Sequence, residues 1–273
     1  MNFWIRVLEF LDTQMETPQP YGVFHLSLFA FIIALTVIFA VWHRGKQKHM
    51  RFMLLFVSIL VALLEVYKQV NYTFSVSDGT IVSDYQWYAF PFQFCSTPMY
   101  VGLLAGIFSR GRLHNALCSY LATYAIFAGA AVLFYPTTIF IGTVGINVQS
   151  MLCHGAMIFL GVYLYATGHV KLRHKTILYA LPVFTAAVAI AAIGNEIAFR
   201  AGLLETEVFN MFFISPYCEP HLPVYSLVQG VVPFPYCLFI YVLGFTAAAY
   251  VILLLAMLIG RLLGRKQKKA MLA

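Results

Sequence analysis

The sequence predicts an all-α membrane protein, a single bundle of seven transmembrane helices, and three observations carry that prediction. Hydrophobic residues make up 62% of the 273 and charged residues only 10%, against roughly 25% charged in ordinary soluble domains. Seven apolar stretches are long enough to cross a bilayer, which takes about 20 residues each. The basic residues sort by side. Such a composition excludes a soluble enzyme, a secreted disulfide scaffold and a disordered chain, because there is too little polar surface to cover the apolar mass. The net charge of +7 would suggest nucleic acid in a soluble protein; here its placement marks topology, and no nucleic-acid partner is expected.

Residues 1–20 read as an interfacial helix on the outer surface, with Phe3, Trp4, Val7, Leu8 and Leu11 at helical spacing and Arg6, Glu9 and Asp12 between them. The spans fall at 22–42, 52–71, 87–109, 115–135, 148–168, 176–199 and 235–263, so the transmembrane domain covers 21–263. Arg44, Lys46, Lys48 and Arg51 follow the first span, Arg110 and Arg112 the third, and Lys171, Arg173 and Lys175 the fifth. Arg261, Arg265, Lys266, Lys268 and Lys269 close the chain. By the positive-inside rule these residues face the cytoplasm, which puts the N-terminus outside and the C-terminus inside. The basic tail, 264–273, is also suited to anionic lipid heads. The outer segment between spans six and seven, 200–234, is rich in Pro and aromatic residues and can fold back over the bundle.

Ionisable groups inside a membrane are costly and face the bundle interior. They gather in the outer halves of the spans. His25 opens span one, Glu65 and Lys68 lie late in span two, Cys95 lies in span three, His154 lies in span five, and Asn195 and Glu196 end span six. The inner halves are almost wholly apolar, which argues for a pocket open to the outside rather than a through-channel. On an ideal helix Cys95 shares a face with Phe92, Met99, Gly102 and Gly106, and Pro98 should kink that helix beside the cysteine. Asn147 and Ser150 share the face of His154. Glu65 and Lys68, three residues apart, suit either an ion pair or a site role. Glu196 and Arg200 suit an anchoring pair.

A thiol beside an imidazole is a nucleophile and its base, suited to acyl transfer or ester hydrolysis through a thioester. Each residue also has a plainer reading, since buried cysteine is most often a small hydrophobe. Cys153 points about 100° away from His154 on an ideal helix and reads as packing; Cys118 has no visible partner. Cys218 and Cys237 flank the outer segment and could pair in an oxidising compartment. No CxxC, HExxH or HxxxH spacing is present, and no metal or cofactor is expected. The absence of His and Lys from 236–260 disfavours zinc-dependent seven-helix hydrolases and retinal proteins.

Three segments carry a resemblance. Phe90-Pro91-Phe92-Gln93-Phe94-Cys95-Ser96 resembles the Leu-Pro-x-His-x-Cys-Ser pattern of the YwaF-like integral membrane proteins of bacteria. Asn210-Met211-Phe212-Phe213-Ile214-Ser215-Pro216 resembles that family's Asn-Tyr-x-x-Leu-x-x-Pro segment. Val232-Pro233-Phe234-Pro235-Tyr236 resembles its Gly-Pro-Trp-Pro-Tyr lead into the last span. The YwaF-like proteins are related to the transmembrane protein 164 acyltransferases, which make ether phospholipids, and more distantly to the androgen-induced lipid hydrolases. The resemblance implies Cys95 as acyl-accepting nucleophile and His154 as base, with a membrane phospholipid or other acyl-lipid as substrate. It also suggests a bacterial plasma membrane and support from His25, which sits where the family tends to have a first-span His, and from Ser96 and Asn210 of the matching segments; Glu65, Lys68 and Asn147 are expected as support from their places on the outer polar faces. Gln93 stands where the family commonly has His; an ideal helix turns it about 200° from Cys95, which limits it to support. The competing reading is a transporter or solute-binding membrane protein with an outer-half polar relay through Glu65, Lys68, His154 and Glu196.

Overall fold

The computed structural model describes residues 2–136, 139–202, 209–219, 222 and 225–270, with side chains to 263. Nine α-helices stand among the described residues. They are α1 (Phe3–Leu11), α2 (Val23–Trp42), α3 (Met50–Asn71), α4 (Thr97–Ile107), α5 (Gly111–Tyr120), α6 (Ile126–Phe134), α7 (Val144–Ala166), α8 (Lys175–Arg200) and α9 (Phe234–Ala270). A five-residue π-turn, Leu121–Ala125, joins α5 to α6 without a break, so Gly111–Phe134 acts as one rod. Six rods are long and apolar enough to cross a membrane: α2, α3, α5 with α6, α7, α8 and α9. The protein is a multi-pass membrane protein.

The expected third span, 87–109, departs most from its forecast. Its first half is two 3₁₀ turns, Trp87–Ala89 and Phe94–Ser96, and only α4 is a regular helix. Pro98 therefore kinks nothing. It sits in the first turn of α4, where its missing N–H costs no hydrogen bond. The Phe94 carbonyl receives the Thr97 hydroxyl at 2.7 Å instead. Gly102 and Gly106 pack against α3 as their spacing suggests: a Cβ on Gly102 would fall 2.0 Å from Ser58 Oγ, and one on Gly106 2.5 Å from Leu55.

Between α3 and the irregular segment stands a hairpin, β1 (Phe74–Ser77) with β2 (Thr80–Ser83), paired antiparallel from Phe74 with Ser83 to Ser77 with Thr80. Asp78 and Gly79 make its turn with φ of 51° and 72°, the doubly left-handed geometry that Asp-Gly favours. The N-terminal residues are tied to the bundle. Met15 N–H donates to the Gly142 carbonyl, Val144 N–H donates to Thr13, and the Tyr67 hydroxyl donates to the Leu11 carbonyl.

The centre of the molecule is aromatic. Tyr124 stacks on Phe184 at 4.4 Å, Tyr241 on Phe245 at 4.4 Å, and Phe94 on Phe212 at 5.5 Å. Tyr120, Tyr124, Phe184 and Phe212 are fully buried. Packed rings of this kind exclude water and fix the floor of whatever lies above them. The backbone of α9 continues as helix through Ala270, while the basic side chains beyond Leu263 and residues 271–273 lie outside the described residues. Parts of the outer segment, 203–208, 220, 221, 223 and 224, lie outside them as well.

Candidate functional site

A cavity of about 450 Å³ lies among α3, the turn before α4, α6, α7 and α9. Its polar wall holds Glu65, Lys68, Gln93, Cys95, Ser96 and His154, so the structure brings together most of the residues singled out from the sequence. Phe127, Phe212, Phe213 and Phe245 line its apolar part.

Cys95 stands in the Phe94–Ser96 turn immediately before α4. Its thiol faces the cavity from just before the first turn of α4, where the Ser96 and Thr97 N–H groups are bonded to the Gln93 and Phe94 carbonyls and Pro98 has none. Ser96, 2% exposed, has no partner in hydrogen-bonding geometry for its hydroxyl. His154 is oriented from behind: its Nδ1 lies 2.7 Å from the Ser150 carbonyl oxygen. A carbonyl only accepts, so Nδ1 carries the proton and Nε2 is the basic nitrogen of the neutral ring.

Lys68 and Glu65 form an ion pair at 2.7 Å with side chains 13% and 6% exposed. Gln69 donates to Glu65 at 2.8 Å and to the Ala89 carbonyl at 2.8 Å, and Tyr85 donates to Gln69 at 2.7 Å. The pair is thus both a compensated charge and part of the cavity wall.

Gln93 does more than the helical argument allowed. Because 90–96 is not a continuous α-helix, Gln93 and Cys95 reach the same cavity. Gln93 Nε2 donates to the Asn210 carbonyl at 3.2 Å, and its Oε1 accepts from Phe212 N–H at 3.0 Å. Asn195 grips the same segment: it donates to the Met211 carbonyl at 3.1 Å and accepts from Met211 N–H at 2.8 Å. The Tyr241 hydroxyl adds a bond to the Phe212 carbonyl at 3.0 Å. These ties hold Phe212 and Phe213 at φ of 58° and 55°, a region bulky residues adopt only when their surroundings over-determine it. Both rings thereby close one side of the cavity.

Other expected residues lie elsewhere. His25 does not line the cavity; its Nδ1 accepts from Tyr21 N–H at 3.0 Å and its Nε2 donates to the Leu133 carbonyl at 3.0 Å, so it braces α2 against the end of α6. Asn147 bonds the backbone N–H and carbonyl of Ile141 at 2.9 and 2.7 Å. Asn210 accepts from Ser215 N–H at 2.9 Å and shapes the turn below Phe212. Cys153, expected to be packing, lies on the cavity with Gln149, whose amide donates to its sulfur at 3.4 Å. All five cysteines are free thiols, Cys218 and Cys237 included. Glu196 pairs with Arg200 at 2.7 Å and receives the Tyr217 hydroxyl at 2.5 Å, outside the cavity.

With this geometry in view, the comparison with known families decides the affiliation. A sequence model of the TMEM164 family matches residues 19–259. The chain belongs to the TMEM164 family. No curated protein and no solved structure matches it. The family match covers every element that lines the cavity, from α3 to the start of α9. In this TMEM164 family member, the residues that sequence reasoning left out of the site are Gln149, Cys153, Asn195 and the Phe212–Phe213 pair. Asn195 carried a signal, a polar amide at the end of an apolar span. The phenylalanines carried none, since their role depends on a backbone conformation that the sequence does not announce.

Proposed function

We propose that this protein moves or hydrolyses a lipid acyl chain through a thioester on Cys95, with His154 as general base. The observation that carries the reading is the placement of both side chains on one cavity, with His154 held in the tautomer that leaves Nε2 free to take a proton. Nε2 takes the thiol proton as sulfur attacks the ester carbonyl carbon. The tetrahedral intermediate collapses, the C–O bond breaks, and the protonated imidazole returns its proton to the departing alcohol. Water or an acceptor hydroxyl then attacks the thioester by the same route in reverse. The Ser96 hydroxyl, next to Cys95 in the chain and without a hydrogen-bond partner, is the donor available to the oxyanion.

A second cavity of about 320 Å³ supports a lipid as substrate. It shares Phe127, Leu222, Tyr241 and Phe245 with the first and continues between α6 and α9 past Gly244 and Ala248. An acyl chain would lie along that apolar passage while its ester reaches Cys95. In this reading α4 with the irregular segment before it forms a seventh crossing, the N-terminus and α1 lie on the outer face, and the basic loops and tail face the cytoplasm. The sorting of Lys and Arg supports that orientation. The likeness to YwaF-like proteins supports a bacterial plasma membrane, and the apolar passage supports a phospholipid as partner.

The test is acyl transfer to the purified protein. A phospholipid labelled in its acyl chain should leave label on the wild type that hydroxylamine releases. Cys95→Ala should remove it, and His154→Ala should slow its appearance by about 10²–10⁴-fold, the usual share of a general base. Label that persists in Cys95→Ala overturns the proposal.

A further inference from the structure

Three donor side chains that the cavity chemistry does not use meet at the far end of the bundle. His114 and Cys118 stand at i and i+4 on α5, so both project from one side of it. His169 arrives from the connection between α7 and α8. His114 Nε2 lies 2.6 Å from His169 Nε2 and 3.6 Å from Cys118 Sγ. One ligand atom from each residue falls within 4.8 Å of the others. The cluster is remote from Cys95: α7 ends at Ala166, roughly 18 Å along its axis from His154.

The orientation of His114 is set from outside the cluster. Its Nδ1 lies 2.8 Å from the Ala105 carbonyl oxygen, so Nδ1 is the protonated nitrogen and Nε2 turns its lone pair inward. A backbone carbonyl bracing the distal ring nitrogen is the outer support that metal-binding histidines recurrently have. The short contact between the two Nε2 atoms then places a proton on His169 Nε2 when no ion is bound. Cys118 and His114 are buried, at 0% and 4% exposed. Cys118 and His169 also border a cavity of about 210 Å³ with Asn115, Ser119, Lys171 and Arg173. That opening gives an ion access and leaves room for a further ligand, and its two cationic side chains favour an anion or hydroxide there.

We propose that His114, Cys118 and His169 bind a thiophilic transition-metal ion of the Zn²⁺ class. On binding, the Cys118 thiol loses its proton and the metal–sulfur bond forms. His169 shifts its ring proton from Nε2 to Nδ1, and both Nε2 lone pairs coordinate, so one proton is released overall. Two imidazoles and one thiolate leave a fourth tetrahedral position facing the small cavity. Metal–nitrogen bonds of about 2.0–2.1 Å set the two nitrogens roughly 3.3 Å apart. The half-buried His169, carried by the connection rather than by a helix, is the side chain that moves to reach that spacing. The bound ion ties the start of α5 to the turn that follows α7.

The experiment uses the full-length protein without a polyhistidine tag, purified in detergent, stripped with chelator and titrated with Co²⁺ and then Zn²⁺. The expected result is one equivalent of Co²⁺ with visible d–d bands and a near-ultraviolet sulfur-to-cobalt band, displaced by Zn²⁺. Cys118→Ser should remove the sulfur band, and His169→Gln should weaken binding at least tenfold; Cys95→Ala and His154→Ala should change neither. If His114→Ala fails to fold, His169→Gln decides the matter, since it alters only the connection. Failure of the folded wild type to retain either ion, or binding unchanged in both Cys118→Ser and His169→Gln, overturns the proposal and leaves a hydrogen-bonded histidine pair. Neither outcome bears on the thioester chemistry of Cys95.

Discussion

At the scale of single residues, the cavity depends on side chains whose hydrogen bonds reach far along the sequence. Gln93 fastens a segment more than a hundred positions away through both ends of its amide. Gln93→Leu would leave the Phe212 N–H unpaired in the cavity wall, at about 1–3 kcal/mol for a buried group, while the Asn210 carbonyl keeps the Phe213 N–H at 3.3 Å. The expected outcome is a lower melting temperature in detergent and a larger loss of acyl labelling than stability alone explains, as Phe212 and Phe213 relax away from the cavity. The Glu65–Lys68 pair makes a second prediction. Glu65→Gln strands a buried ammonium, and removing one partner of a buried pair costs about 3–5 kcal/mol. The double variant Glu65→Gln with Lys68→Met should recover most of that loss in thermal unfolding. A single variant as stable as the wild type would show that water reaches the pair. The ionisable residues themselves were legible in the sequence because a membrane makes each one expensive. Their division of labour was not, as His25 shows: an interior histidine whose two nitrogens are both used on backbone groups.

At the scale of elements, contact between helices sets where His154 sits. A Cβ on Gly129 of α6 would fall 2.5 Å from the His154 carbonyl oxygen and 2.9 Å from Met157 Cβ. The first is backbone and cannot rotate aside, so Gly129→Ala must push α7 from α6. Overpacking of this kind costs about 1–3 kcal/mol. It should also lower acyl labelling, whereas Gly244→Ala, which meets nothing within 4 Å, should leave stability near the wild type. Elements also show where periodicity misleads. Residues 87–96 are as apolar as a span, yet they form two short turns, and this is why Gln93 and Cys95 share a cavity that an ideal helix would put on opposite sides. The hairpin of β1 and β2 has its own signal, Asp78-Gly79 between short alternating runs, which hydropathy does not register. The His114 and Cys118 pair was a further signal, an HxxxC spacing on one face of α5 that gains meaning only when the α7–α8 connection supplies His169.

At the scale of the whole molecule, the asymmetry of charge makes a prediction of its own. If basic loops face the cytoplasm, a fluorescent protein that matures only there should glow when fused after Ala273, and alkaline phosphatase fused at the same point should stay inactive. The reverse pattern would invert the bundle and put the Cys95 cavity on the cytoplasmic side. The membrane character, the spans around α2, α3, α5 with α6, α7, α8 and α9, and the family were open to sequence reasoning, because burial in lipid demands long apolar runs with all backbone groups paired internally. Cys95 and His154 were nominated by the sequence, but the cavity that both line, the strained phenylalanines that close it and the cluster at the opposite end were decided by tertiary structure. Each of these joins residues distant in the chain, and hydropathy records how a residue partitions, not which neighbour it meets.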